Sequence, residues 1–417
     1  MIRSFVVVIF ATLFALSACK ENPASSHRGN GAPITPDPKL ATEDVAPELV
    51  AANTEFAFDL YPQLLAKAPS ENAFISPLSI SMAFHMVYNG AESATRHAIG
   101  DAFHIADMPL DDLNYANAVL LSHLAYADSD VVSEIANSIW MRDSFEPSVK
   151  TDFVDRNRIA YLAEIATRDF SDEATVDEIN GWVSERTHEK IPTVLDPPIP
   201  DDAMMYLINA IYFNGSWAEQ FDKTKTTERS FTLASGVQKS IPTMYRYDQM
   251  DYLETEAFQA TRLPYGDGRF SAYVFLPKSG QTLDSFHASL SVENWVSWLG
   301  SFSPMQGTLY LPKFEFRYKT DLKPPLTRLG MGIAFSDAAD FTGIADAALT
   351  ISDARHMSYV RLDEEGTEAA AVTIIDVYTT SMPMTFAMDV NRPFFFAIAD
   401  STTGSILFMG SVYDPAS

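Results

Sequence analysis

Residue types that can carry catalysis are present in this sequence, but their spacing matches none of the common catalytic motifs. His188-Glu189 begins like the H-E-x-x-H motif of zinc proteases, yet no second histidine follows. The chain has no G-x-S-x-G elbow, no P-loop and no G-x-G-x-x-G turn. Its eight histidines are scattered and its single cysteine is Cys19. We therefore expect no metal site, no cofactor and no enzyme active site.

The stretch 363–377, DEEGTEAAAVTIIDV, has the composition of a segment that can enter a β-sheet. Strand side chains alternate between two faces. One set is small and then apolar: Thr367, Ala369, Ala371, Thr373, Ile375 and Val377. The other set holds both charges that follow Gly366: its members are Glu368, Ala370, Val372, Ile374 and Asp376. No proline follows Gly366 until after Met382, so the stretch suits a central strand as well as an exposed loop. From composition alone, an alanine-rich surface helix followed by a strand is the alternative.

Several blocks of this sequence resemble the serpins, the serine protease inhibitor family. Residues 364–371, EEGTEAAA, match the hinge that opens the family's reactive loop. NAFISPLSI at 72–80 and LINAIYFNGSW at 207–217 resemble two further family segments, and RPFFF and ILFMG at 392–396 and 406–410 resemble the family's C-terminal hairpin. The blocks occur in the family's order.

The resemblance implies an α+β fold in one domain, with three β-sheets, eight or nine helices and an exposed reactive loop. It also implies a metastable native state and a hinge that spans Glu364, Glu365, Gly366, Thr367, Glu368, Ala369, Ala370 and Ala371. Small residues at the hinge are typical of inhibitory members, so we expect a suicide-substrate inhibitor of a serine or cysteine endopeptidase. A non-inhibitory serpin acting as a binding or scaffold lipoprotein is the alternative.

The same resemblance locates the bond that the target protease attacks. In the family this bond lies fourteen residues after the hinge glycine, which gives Thr380 and Ser381 here. Thr380 is small and β-branched, so the expected partner is a serine protease with a small or shallow specificity pocket, elastase-like or subtilisin-like. A register shift of two residues would move the site to Tyr378 or Met382 and indicate a chymotrypsin-like target.

Five further positions match residues that control sheet opening in the family. Ser76, Ser79, Asn209 and His356 correspond to the polar shutter, and Trp217 corresponds to the tryptophan where the loop enters. The resemblance implies no catalytic role for any of them.

The N-terminus has the pattern of a lipoprotein signal. Arg3 is followed by an apolar run at 5–16 that is too short to span a bilayer comfortably. The run leads to L-S-A-C, which resembles the bacterial signal whose cysteine is acylated. We expect residues 1–18 to be removed, Cys19 to be lipidated, and residues 19–45 to form a flexible tether at the cell envelope, on the outer membrane. An ordinary secretory signal with an incidental cysteine is the alternative.

Composition limits the partners further. The formal net charge is -26 and the pI about 4.5, which disfavours nucleic acid binding. No Lys or Arg lies between Arg96 and Arg142, so we expect no activation by sulfated polysaccharides. We expect a monomer that contacts membranes only through its lipid anchor.

The elements that must position these residues lie in a single domain at 46–417. The apolar spacing predicts helices at 46–68, 77–89, 111–126, 147–163 and 174–188, with Pro62 kinking or interrupting the first. It predicts strands at 131–141, 204–214, 270–276, 307–318 and 357–363, and a buried hairpin at the C-terminus.

Overall fold

The computed structural model describes residues 35–128, 131–367 and 385–416, and these residues belong to one compact unit. Nine α-helices lie within them: α1 Pro47–Leu65, α2 Pro77–Tyr88, α3 Ser93–Ala102, α4 Leu110–Ala125, α5 Thr151–Ala160, α6 Glu173–Arg186, α7 Leu283–His287, α8 Val292–Leu299 and α9 Lys323–Arg328. The expected α+β architecture with eight or nine helices is confirmed. Within the described ranges, no helix is both long and apolar enough to cross a membrane.

Fifteen strands form three sheets among these residues. In chain order they are β1 Ala73–Ile75, β2 Val131–Arg142, β3 Glu164–Arg168, β4 Met205–Ser216, β5 Thr227–Thr232, β6 Gln238–Glu254, β7 Phe258–Pro264, β8 Phe270–Pro277, β9 Ser303–Pro312, β10 Phe314–Asp321, β11 Arg355–Leu362, β12 Gly366–Thr367, β13 Phe386–Asp389, β14 Phe394–Asp400 and β15 Ile406–Val412. Nine strands form one sheet, in the order β1-β15-β14-β8-β7-β6-β9-β13 with β5 beside β6. A second sheet has the order β12-β4-β2-β3, and a third is the pair β10-β11.

The predicted buried hairpin at the C-terminus is confirmed. β14 and β15 pair with each other, and every residue of both strands is buried. Their apolar runs have no alternation because both faces are covered. The Phe74 ring from β1 stacks on Phe408 with a centroid distance of 5.2 Å, which joins the hairpin to the chain's N-terminal half.

Local sequence explains where the site-bearing helix α2 begins. The Ser76 side chain accepts a hydrogen bond from the Ser79 backbone N–H, and Pro77 occupies the first helical position. A serine cap followed by proline is a strong helix start. The serine side chain accepts a hydrogen bond from a first-turn N–H, and proline has no N–H that would be left without a partner. The helix therefore places Ser76 and Ser79 at a defined end of α2.

Two sequence predictions are wrong in detail. The strand expected at 307–318 is two strands, β9 and β10, which belong to different sheets. The ladder of β9 ends at Pro312, which has no N–H to donate, and Lys313 separates the two strands. Helix α1 also continues through Pro62 without interruption, because this proline lies in the last turn, where its ring displaces only one hydrogen bond.

Candidate functional site

Strands β4 and β11 face each other across a gap. Within the described residues β4 pairs with β2 along one edge, and β11 pairs with β10 along one edge. The chain reverses between Asp363 and Gly366, whose backbone groups exchange hydrogen bonds of 3.1 and 3.4 Å. The short strand β12 that follows pairs antiparallel with β4, Gly366 with Ser216 and Thr367 with Gly215. The start of the predicted hinge therefore lies between the two strands.

The gap continues beyond β12 as a cavity of about 620 Å³. One wall is β4 from Met205 to Ala210, and the other is the segment 348–357 that leads into β11. Ser79 of α2 and Val183 of α6 also line it. Among the described residues, the free edge of β4 thus borders a space that another strand could occupy.

The side chains of β4 alternate between two covered faces. Ile211 and Phe213 pack in the main core. Tyr206, Ile208 and Ala210 contact the smaller apolar clusters formed around α6. A strand added beside β4 would face the main core on one side and the clusters around α6 on the other.

Trp217 holds the hinge at the end of the gap. Its indole N–H donates to the Asp363 carbonyl at 2.9 Å, and its backbone N–H donates to the Glu365 carbonyl at 3.0 Å. Its ring stacks on Tyr265 with a centroid distance of 4.4 Å. Trp217 is 3% exposed, so it joins the hinge to the buried core at the predicted entry point.

The first hinge carboxylate forms a buried ion pair. Glu364 accepts hydrogen bonds from Lys313 Nζ at 2.7 Å and from Thr226 Oγ1 at 2.7 Å. Burial by itself raises the pKa of Glu364, but these hydrogen bonds outweigh it and hold the pKa below its ordinary value. Lys313 joins the hinge to the junction between β9 and β10, while Glu365 pairs with Lys223 nearer the surface.

Gly366 is required by close backbone approach as well as by flexibility. Its φ is +134°, and a Cβ atom there would lie 2.2 Å from the Gly215 carbonyl oxygen. Any other residue would push the hinge away from β4.

The four predicted shutter residues lie together where α2 meets β4 and β11. The Ser76 backbone N–H donates to His356 Nε2 at 3.1 Å. The Ser79 hydroxyl donates to Asn209 Oδ1, and Asn209 Nδ2 donates to Asn137 Oδ1 at 2.7 Å. These contacts connect α2 to β4, β2 and β11, so the network joins both sides of the gap.

His356 is neutral in this network. Burial lowers its pKa from 6.5 to about 4. Because Nε2 accepts a backbone hydrogen bond, a protonated ring would place two donors against each other.

Sequence reasoning missed two contributors to the site. Asn137 lies directly opposite Asn209 in the β2–β4 ladder, and paired polar residues on adjacent strands could have indicated it. Lys313 is 51 residues from Glu364, and no local pattern marks it as the partner. Other predicted residues lie outside the described ranges: Cys19, Glu368, Ala369, Ala370, Ala371, Thr380 and Ser381.

Comparison with known proteins agrees with this geometry. The family model for Serpin (serine protease inhibitor) matches residues 51–415. A serpin-like protein of Methanosarcina acetivorans is 31% identical over 427 residues, 98% of this chain and 97% of its own length. The leukocyte elastase inhibitor of Sus scrofa is 32% identical over 382 residues, 88% of this chain and all of its own length (100%). The crystal structure of tengpin, a thermophilic serpin in the native state, matches with a TM-score of 0.80 at 29% identity, over 89% of this chain and 95% of that chain. The chain therefore belongs to the serpin family.

Proposed function

We propose that this protein is a suicide-substrate inhibitor that traps an endopeptidase by inserting its cleaved reactive loop between β4 and β11. The observation that carries the proposal is the gap itself, with Gly366 and Thr367 already paired to β4 at its entrance. A non-inhibitory scaffold needs neither an open strand edge nor a hinge built to enter it.

The register supports insertion of the next ten residues. Gly366 pairs with Ser216 and Thr367 with Gly215, so each step forward along the loop moves the pairing one residue back along β4. Continued antiparallel pairing would set Glu368 opposite Asn214 and Val377 opposite Met205. Residues 368–377 and β4 residues 205–214 are equal in number, so this stretch would fill the edge of β4 completely.

The same register gives each set of side chains a suitable face. Ala369 and Ala371 would lie opposite Phe213 and Ile211, on the side of the main core. Glu368 would lie opposite Asn214, on the other side of the strand. The small and apolar set therefore points inward, and both charges, Glu368 and Asp376, fall in the set that points toward α6.

The proposed chemistry needs only the protease's own nucleophile. Its oxygen or sulfur attacks the Thr380 carbonyl carbon, the amide bond to Ser381 breaks, and the Ser381 nitrogen takes up a proton as it leaves. The product is an acyl-enzyme on Thr380. Insertion of the freed loop then removes the protease from its productive geometry before water can deacylate it.

We further propose that the target has a small or shallow pocket, since Thr380 offers a short branched side chain. The alternatives at Tyr378 and Met382 would direct the inhibitor to chymotrypsin-like enzymes. The name of the Sus scrofa relative, an elastase inhibitor, is in keeping with the first choice.

The test is a panel of elastase-like, subtilisin-like, chymotrypsin-like and trypsin-like proteases. A denaturing gel should show a covalent one-to-one complex with a small-pocket enzyme, and mass spectrometry should place the new carboxyl end at Thr380. Cleavage by every enzyme without any complex would refute inhibition and support the scaffold alternative.

We also propose that the protein is exported and anchored through acylated Cys19. The Lys20 that follows this cysteine resembles the pattern for outer-membrane sorting in diderm bacteria. Such an anchor would place the inhibitor at the cell envelope as a tethered monomer.

A further inference from the structure

The outer face of strands β6 and β9 carries three tyrosines side by side. Tyr245 lies opposite Tyr310 in the β6–β9 ladder, and their ring centroids are 5.2 Å apart. Tyr247 lies two residues further along β6 and is 54% exposed. Residues opposite each other in a ladder share a face, and so do residues two apart on one strand. We call this surface the β6–β9 face, and its members are Tyr245, Tyr247, Gln249, Gln306, Thr308 and Tyr310.

An ion pair holds one end of the β6–β9 face in place. The Arg229 guanidinium lies over the Tyr310 ring, 3.8 Å from its centroid, and donates to Asp389 Oδ2 at 2.8 Å. These contacts connect β5, β9 and β13. Because its neighbours already hold the Tyr310 ring, little side-chain freedom remains to be lost when a partner covers this end of the face.

The composition of the β6–β9 face differs from that of the chain as a whole. All six members are uncharged at pH 7, whereas the chain carries a formal net charge of -26. Tyrosine is enriched in the centres of protein–protein interfaces, where charged residues are depleted. The face therefore suits an uncharged, partly apolar protein surface as its partner.

The reactive loop rejoins the described structure beside this face. Strand β13 is the neighbour of β9, with Ala387 opposite Thr308, and the exposed Thr385 comes immediately before it. Five residues separate Thr385 from the proposed reactive residue Thr380, a span of at most about 18 Å. A protease domain of about 200 residues is roughly 40 Å across, so a protease whose cleft holds Thr380 extends over the surroundings of Thr385.

We propose that the β6–β9 face is a second contact for the target protease, which it binds beside the cleft that holds the reactive loop. This inference rests on the proposed inhibitory function and adds a determinant of specificity outside the loop. The partner surface is the uncharged, partly apolar rim of the protease cleft. Tyr247 makes the central contact, because it is the tyrosine of the face that projects furthest into solvent. Two proteases that accept Thr380 equally well are then trapped at different rates.

Association rate constants test the second contact, measured with the enzyme of the protease panel that forms the covalent complex fastest. We expect Tyr247→Ser to lower the rate constant by about tenfold and Tyr247→Phe to preserve it, since the ring makes the contact. Gln249→Glu should also slow association, because it places an unpaired charge in the covered face without removing a ring. The stoichiometry of inhibition and the unfolding temperature should match those of the wild type in all three variants, since none of them touches the hinge or the gap.

Tyr115→Ser is the matched control, because Tyr115 is 55% exposed on α4 and lies outside the β6–β9 face. Its rate constant should equal that of the wild type. A covalent complex that forms equally fast with wild type and Tyr247→Ser would overturn the second contact and leave the inhibitory function standing. Equal slowing by Tyr115→Ser would also overturn it. Failure of the wild type to form a complex with any enzyme of the panel would refute the inhibitory function, and the second contact with it.

Discussion

At the scale of single residues, the proposed reactive bond assigns the choice of target protease to the side chain at position 380. Thr380→Arg replaces a short branched group with a long cation, which fits a pocket that carries a carboxylate. We expect the variant to gain inhibition of trypsin-like enzymes and to lose inhibition of small-pocket enzymes. Association rate constants against one enzyme of each kind measure the change.

The matched control for this prediction is Ser381→Ala, which leaves the residue that enters the pocket unchanged. If the wild-type complex carries its acyl bond at Tyr378 or Met382, the register assumed here is wrong and Thr380→Arg will not redirect the inhibitor.

His356 predicts a pH dependence of the native state. Its pKa is about 4 in the folded protein and 6.5 ordinarily, so the unfolded chain binds the proton first as the pH falls. Neutral His356 contributes to the free energy of unfolding, and this contribution is complete above about pH 6.5. It is lost progressively as the pH falls toward 4, by about 3 kcal/mol in all. We expect His356→Gln to lower the unfolding temperature at pH 7.5 but to flatten its decline between pH 6.5 and pH 4.5.

Differential scanning calorimetry at a fixed scan rate provides the measurement, because an unfolding temperature depends on the scan rate whenever unfolding is irreversible. His97→Gln is the control, since it makes the same substitution at an exposed histidine. An unchanged slope in His356→Gln would mean that this histidine does not titrate on unfolding.

At the scale of elements, the hinge lies at the entrance of the gap between β4 and β11, where Gly366 and Thr367 pair with β4. In the proposed mechanism, loop insertion competes with hydrolysis of the acyl-enzyme after acylation. Ala369→Pro removes a backbone donor from a strand that would become central, and Thr367→Arg introduces a charge on the set of side chains that faces the main core. Neither change touches the attacked bond. We expect both variants to be cleaved at near wild-type rates but to release active protease.

Titration of residual protease activity against inhibitor measures this outcome, with denaturing gels to count complex and cleaved product. Glu368→Arg is the matched control, because it places the same charge one residue further along, on the opposite face. One-to-one trapping by both Ala369→Pro and Thr367→Arg would contradict insertion of residues 367–377.

At the scale of the whole molecule, insertion should raise heat stability. The added strand would pair with β4 and β11 and bury its apolar set of side chains. Because many backbone and apolar contacts would form together, the cleaved protein should unfold at a temperature tens of degrees above that of the intact protein. Cleavage of the loop by a non-target protease, followed by calorimetry, tests this expectation. Equal unfolding temperatures before and after cleavage would show that the loop does not insert.

The anchor is the second property of the whole chain. Cys19→Ala should prevent acylation and release the protein from the membrane fraction, because stable attachment requires two or more acyl chains or signals. Cell fractionation and N-terminal mass spectrometry of the mature protein report the result. Membrane retention with an unchanged N-terminus would exclude lipidation at this residue.

Local pattern was sufficient for several parts of this protein. The unbroken apolar runs of β14 and β15 predicted a buried hairpin, and the apolar spacing at 77–89 predicted α2 to within a residue. The strand break at Lys313 was missed because both halves of 307–318 have strand composition, although Pro312 was a local signal for it. The assignment of the two halves to different sheets was not predictable from local pattern.

The sequence by itself determined that residues 367–377 can be a strand, since alternation, small side chains and the absence of proline are properties of adjacent residues. It also determined the family, because several motifs occur in order. Only the tertiary structure decided that β4 and β11 lie apart, that Glu364 pairs with Lys313, and that Ser76 reaches His356 across 280 residues. Such contacts join residues that no local periodicity relates, so they exist only once the sheets and helices have packed.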